Sequence, residues 1–408
     1  MSADPLTVAA GAVATNGGPL AGVRVLELCQ YIAGPYAAVM LADLGAEVVK
    51  IESPRGGDPF RGWQSSRHPY STQFAAYNRN KRGVAIDLRT PSGASLLRRL
   101  VARADVLVEN FRPGTMEDLG LGYESLAEMN SALVYVAITG FGPTGPYATR
   151  PSYDSVNSAL SGLYSLLLDP DQPKLAGPAF SDVVAGLFGA QAALAALVRA
   201  RSTGVGQRVD TSMVGAMLTF LAEPATLFLD AGIVSAPTDR IRRAQIYAAR
   251  SSDGRSFVIH LSLAKKFWLA LTDALGRRDL RTDPRFDSHE RRVANYDCLD
   301  ALLKTAIAER PAVYWFDHLT AHDIPHSPIN TLAEVFADPH VQYLDLVRTV
   351  SGSAGEHRLL RPPTDFGVSG QRALSGPPLL GEHTDAVLSA LGLSPGELAD
   401  LHKQGVLG

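Results

Sequence analysis

Asp182 is the residue whose type and position suggest chemistry first. It stands in Leu175-Ala-Gly-Pro-Ala-Phe-Ser-Asp-Val-Val-Ala-Gly-Leu187, where a loop runs into an Ala- and Gly-rich helix. A carboxylate in a first helical turn faces unpaired backbone N–H groups and the positive end of the helix dipole. Both favour its ionised form, which a nucleophilic carboxylate needs. The same placement suits a plain helix cap by Ser181 or Asp182, worth about 1 kcal/mol, and local pattern alone favours the cap, since most helices carry such a residue. A second constellation is basic: Asn78-Arg-Asn-Lys-Arg82, with Arg55, Arg89 and Glu109-Asn-Phe-Arg112. Fixed cations there suit the phosphates of a nucleotide-bearing ligand; a solvated basic face is the plainer reading, and the position of the cluster by the strand ends tips the balance towards a ligand.

The elements around these residues alternate. Val23–Leu28, Glu47–Glu52, Gly83–Leu88, Asp105–Glu109 and Ala132–Ile138 read as short strands. Between them fall helices: Tyr36–Leu44 after a break at Gly34-Pro35, a helix capped by Thr90 with Pro91 at its first position, and one near Tyr123–Asn130. Such alternation implies an α/β fold with an open, mostly parallel, doubly wound sheet. Ligands then bind at the carboxyl ends of the strands, here Cys29–Pro35, Ser53–Asp58, Asn110–Gly114 and Thr139–Gly145. Ser181–Arg201 and Met213–Leu229 read as two long helices, Pro237–Arg243 as a basic linker, and Thr384–Leu391 as a last amphipathic helix. Residues 1–18 read as a disordered lead-in, 19–230 with 345–408 as a large domain, and 231–344 as a smaller α+β domain with its linkers.

Composition narrows the field. With 46% hydrophobic and 19% charged residues, the 408-residue chain can bury a sizeable core. A net charge of -3 argues against a general nucleic-acid binder. Cys29 and Cys298 form neither a disulfide framework nor a CxxC metal site, and fit a reducing cytoplasm. No segment reads as a signal peptide or a membrane span. GxGxxG, GxSxG, HExxH and Walker patterns are missing, so neither metal nor dinucleotide chemistry is indicated.

The chain resembles the family III CoA-transferases. The resemblance is carried by Ala33-Gly-Pro35, Leu44-Gly-Ala-Glu-Val-Val-Lys-Ile-Glu52, Asn80-Lys-Arg82 and Asp105-Val-Leu-Val-Glu-Asn-Phe-Arg-Pro-Gly114. It continues through Thr139-Gly-Phe-Gly142, Gly204-Val-Gly-Gln-Arg-Val-Asp210, Asp283-Pro-Arg-Phe286 and Pro378-Leu-Leu-Gly-Glu-His-Thr-Asp385. It implies a Rossmann-like large domain built from both chain ends, a smaller central domain and an interlocked, ring-like homodimer. It implies acyl-CoA and carboxylic acids as substrates, with no permanently bound cofactor. Asp182 matches the family's catalytic aspartate. Gln30, Tyr31, Ile32 and Ala33 match a CoA-contacting loop; Ile86, Arg89, Asn110 and Phe111 match further contacts. Asp118 and Ser53 stand where arginines contact CoA in a family member, with Arg55 and Arg112 as replacements.

Two rivals follow from the same residues. An acyl-CoA racemase on this fold places a His-Asp pair 29 residues before the aspartate; here that position is Tyr153, followed by Asp154. Tyrosine, with a pKa of about 10, is a poor base at neutral pH, so transferase ranks above racemase, and Tyr153 and Asp154 remain as accessory candidates. A non-catalytic CoA-binding protein is the other. Arg240, Arg242 and Arg243 replace a glycine-rich cover found in formyl-CoA transferase, and a guanidinium there suits a second carboxylate on the acyl group.

Overall fold

The computed structural model describes residues 17–64, 69–169 and 171–408. The expected lead-in lies, up to residue 16, outside them. Gly18 already belongs to the folded body: it is buried, and its carbonyl accepts from Ala21 N at 3.1 Å. The described residues divide into two compact units, one drawn from 17–164, 175–225 and 345–408, the other from 165–174 and 226–344.

The larger unit holds six parallel strands: β1 (Arg24–Leu28), β2 (Glu47–Glu52), β3 (Lys81–Ala85), β4 (Val106–Glu109), β5 (Val134–Thr139) and β6 (Gln207–Ser212). Their order is β3-β2-β1-β4-β5-β6, so the winding reverses between β1 and β4. The helices of the chain as far as residue 220 are α1 (Ala33–Asp43), α2 (Thr72–Asn78), α3 (Pro91–Val101), α4 (Thr115–Asp118), α5 (Tyr123–Ala127), α6 (Asp154–Leu160), α7 (Leu163–Leu167), α8 (Phe180–Thr203) and α9 (Met213–Phe220). Alternate residues of one strand enter two cores, as a sheet covered on both faces requires. Leu26 and Leu28 pack with Leu97 and Leu100 of α3 and Leu388 near the C-terminus. Val25 and Cys29 pack with Ala37 and Leu41 of α1 and Ala190 and Ala193 of α8.

Several expectations change. Gly34 and Pro35 do not break the chain; they lie in the first turn of α1, where a missing N–H costs no helical bond. β3 begins at Lys81, two residues earlier than the apolar run suggests, because the side chains of Lys81 and Arg82 are charged. β6 is an extra strand, polar and only partly buried at the sheet edge. The helix expected over Met213–Leu229 breaks at Leu221, and α10 (Ala222–Ala231) follows with Pro224 in its first turn, where Pro cannot continue the preceding helix. Pro395–Lys403 is a further helix, closed by a capping box of Ser394 and Glu397. With 24 residues α8 is, by length and composition, apolar enough to cross a bilayer, contrary to the sequence reading, yet half of its most apolar stretch is buried inside the protein.

The smaller unit carries α11 (Asp239–Ala244) where a linker is expected, then β7 (Ile246–Arg250), β8 (Ser256–His260) and β9 (His326–Pro328) in an antiparallel sheet of that order. Phe257, Trp268, Phe286 and Trp315 lie in its core.

Candidate active site

Asp182 sits in the first turn of α8, half-buried. The helix start is held close to α1 by glycine: a Cβ on Gly186 would stand 2.7 Å from Ala33 O and 3.0 Å from Tyr36 Cβ. The expected electrostatics do not hold. Burial, and then the neighbouring charge of Asp154, push the Asp182 carboxyl up to about 7. The helix-start amides do not serve Asp182, because Asp154 takes them. Asp154 Oδ1 accepts from Ser181 N at 2.7 Å and from Asp182 N at 3.3 Å. Val183 N is bonded to Ala179 O at 3.2 Å. These amides are thus occupied, contrary to the expectation that they face the Asp182 carboxylate unpaired. Among the described residues, neither a cation nor a hydrogen-bond donor pairs with the Asp182 carboxylate.

The loop Gln30–Ala33 follows β1 at the switch point and is clamped on several sides. Asn110, just past β4, accepts from Gln30 N and donates to Gln30 O, both at 2.8 Å. Asp58 Oδ1 accepts from Tyr31 N at 3.0 Å, and Tyr31 adopts the left-handed φ of 61°. Below the loop, Lys50 Nζ donates to Cys29 O at 2.8 Å and Lys81 Nζ to Pro35 O at 2.9 Å. The Tyr31 ring meets Tyr153 edge-on at 5.8 Å, and Tyr153 remains 63% exposed. The loop, Tyr153, Asp154 and Asp182 therefore lie in one neighbourhood. Sequence reasoning missed Tyr77 of α2, whose phenol is pushed up by burial, then by Asp182, then by Tyr36. Tyr36 and Tyr77 meet edge-on at 5.8 Å. Both had a signal: Tyr36 follows Ala33-Gly-Pro35, and Tyr77 precedes the basic run. Trp63, exposed and 6.2 Å from Tyr31, had none.

The basic cluster sorts differently from its sequence reading. Asn78, Asn80 and Lys81 are buried; Lys81 pairs with Glu27 at 2.7 Å and Asn80 donates to Asp43 at 2.8 Å. Arg79 also pairs with Asp43. These residues hold the fold and do not present a phosphate-binding face. Arg89 and Arg55 do remain outside, 60% and 73% exposed, and both approach Asp87, at 2.9 and 3.5 Å. Arg112 is exposed and Ile32 partly so. Ile86 and Ala33 are buried. Phe111 packs on the α3 core, and its N–H donates at 2.7 Å to Glu109, whose carboxyl burial pushes up to about 7. In the smaller unit, Arg242 is already held by Asp297 at 2.8 Å and lies over Tyr296, so it is not free for a substrate carboxylate. Arg240 and Arg243 are exposed on α11.

Parallel α/β sheets take their ligands in the crevice where the winding reverses. A carboxylate without a counter-charge among the described residues, beside that crevice, is suited to covalent chemistry. The chain belongs to family III of the CoA-transferases: the family model "CoA-transferase family III" matches residues 20–384. It is 34% identical to the succinyl-CoA–D-citramalate CoA-transferase of Chloroflexus aurantiacus, over 95% of this chain and 98% of the relative. It is 35% identical to the succinate–glutarate CoA-transferase of Agrobacterium fabrum, over 91% and 96%. Among solved structures, a CaiB/BaiF family protein from Brucella suis superposes with a TM-score of 0.81 at 36% identity, covering 92% of this chain and all of that one.

Proposed function

We propose that this enzyme moves CoA between carboxylic acids through covalent intermediates on Asp182. An Oδ atom of Asp182 adds to the thioester carbonyl of the donor; the C–S bond breaks and CoA leaves as thiolate. The thiolate then attacks Cγ of Asp182, the anhydride C–O bond breaks, and the donor acid departs as a carboxylate. An acceptor carboxylate attacks the aspartyl-CoA thioester, and the released thiolate takes the acyl group from the new anhydride. The energy of the thioester is kept throughout, and no net proton is exchanged. The observation that carries this reading is the Asp182 carboxylate itself, beside the switch-point loop with no cation among the described residues to quench it.

The substrates are dicarboxylic acids and their CoA thioesters in this reading. Its support is the activity of the two relatives, one on succinyl-CoA and citramalate, the other on succinate and glutarate. Arg242 does not contribute to it. The working form is an interlocked homodimer, and the exposure of Phe228 and Leu229 on α10, a helix that buries none of its residues, supports a covering partner.

Intact-mass analysis after incubation with succinyl-CoA tests the mechanism. A CoA-sized adduct is expected on the wild type and not on Asp182→Ala, which loses turnover. Near-wild-type turnover by Asp182→Ala refutes the assignment, and exchange of the α-proton in deuterated water without transfer would favour a racemase.

A further inference from the structure

Asp154 does more than its position after Tyr153 suggests. Its Oδ1 accepts from Ser181 N at 2.7 Å, Ser181 Oγ at 3.0 Å and Asp182 N at 3.3 Å. Its carbonyl accepts from Ser181 Oγ at 2.9 Å. Asp154 is itself fixed at the start of α6, where Asn157 Nδ2 donates to Tyr153 O at 3.1 Å. A carboxylate 28 residues away thus caps the helix that carries Asp182. Neutral Ser, Thr or Asn would cap as well, and a carboxylate gains in addition from the positive end of the helix dipole. A second carboxylate beside the first opposes its ionisation.

The charge acquires a purpose in the transfer cycle. Asp182 is negative only in the free enzyme, whereas its anhydride and thioester are neutral at that atom. Repulsion from Asp154 is present before acylation and relieved after it. We propose that Asp154 is a positioning residue for the nucleophile: it fixes the first turn of α8 through its hydrogen bonds, and its charge favours the acylated, uncharged forms of Asp182 over the free carboxylate. This rests on Asp182 being the nucleophile. The titratable groups facing Asp182 are Asp154 from α6 and Tyr77 from α2, with Tyr36 of α1 behind Tyr77. The Tyr77 phenol is pushed up and stays neutral, so among the described residues Asp154 is the charge that Asp182 meets.

Asp154→Asn keeps an acceptor at Oδ1 and removes the charge; Asp154→Ser is a second neutral cap. Ser181→Ala keeps the charge and removes the hydroxyl bonds. Each is incubated with succinyl-CoA without acceptor, and the ratio of CoA adduct to free enzyme is read by intact mass. The two Asp154 variants should lower that ratio about three- to tenfold and move the acidic limb of kcat/KM towards lower pH, with KM for acyl-CoA within about twofold. Ser181→Ala should leave the limb in place. An unchanged ratio and limb in both neutral variants, with a normal wild-type adduct, overturns this inference alone and leaves Asp154 as a cap. Absence of the adduct in the wild type, with Asp182→Ala still active, overturns the nucleophile reading and this inference with it.

Discussion

Replacing Asp182 by Asn should stabilise the protein while abolishing transfer, and the gain should grow with pH. The folded carboxyl stands at about 7 against an ordinary 3.8, with burial as the first cause. Such a group binds its proton more tightly in the folded state. Its contribution is fully present below the unfolded value, near pH 3.8, and lost as pH rises towards and through about 7. The gap corresponds to a ceiling of about 4 kcal/mol. Asp182 is partly exposed, so water screens some of this, and about 1–3 kcal/mol is the realistic span between about pH 5 and pH 8. Asn has no charge to desolvate and escapes the loss. The assay is urea unfolding of wild type and variant at several pH values, taken as a difference so that other titrating groups cancel. A wild-type–variant difference that stays flat across that range would refute the claim that Asp182 is a desolvated, uncompensated carboxylate.

Two further outcomes are expected. Arg89→Ala should raise KM for acyl-CoA about three- to tenfold with kcat within about twofold, since the exposed guanidinium beside Asp87 offers binding common to ground and transition states; steady-state kinetics at low and high salt checks it. Gly186→Ala should destabilise by about 1–3 kcal/mol and lower kcat, because its Cβ meets the fixed carbonyl of Ala33, whereas Gly189→Ala, which meets the far end of the Ile138 side chain at 2.6 Å, should be milder; thermal melts and turnover of both variants decide.

The sheet was legible because its central strands are buried on both faces and so read as apolar runs, as in Val134–Thr139. Thr90 was legible as a cap: its Oγ1 accepts from Gly93 N at 3.0 Å, with Pro91 at the first helical position. β6 was not, since an edge strand of Gln207-Arg-Val-Asp-Thr-Ser212 carries little hydrophobic signal. The break before α10 had its sign in Pro224, which the apolar periodicity of the segment concealed. Asp182 was placed at a helix start by local pattern, but its state was misjudged. The local rule counts the helix dipole and free amides; it cannot count a carboxylate that arrives from α6 and takes those amides. Arg79, Asn80 and Lys81 of the basic run were misread for the same reason, because their partners Glu27 and Asp43 belong to other elements.

That buried ionic layer supplies the donors and acceptors that hold the loop after β1. The side chains of Glu27, Lys50, Asp58 and Lys81 are all fully buried, with Lys50 2.9 Å from Glu27 and 3.1 Å from Asp58. Burial works against the charge of Lys50, but Glu27, Asp58 and Glu52 outweigh it and raise its pKa. Lys81 is less compensated, and burial brings it down to about 8. Such pairs are weak sources of net stability, since an apolar layer of the same volume often does as well. An apolar layer, however, would leave the carbonyls of Cys29 and Pro35 without the lysine donors they now have, and Tyr31 N without Asp58. Those backbone groups lie beyond the end of β1, outside the sheet ladder. The layer therefore acts on the loop rather than on the sheet. It holds Tyr31 in a left-handed backbone conformation that an aromatic residue seldom adopts unaided. From there the ring meets Tyr153, the residue before the carboxylate that caps the helix of Asp182.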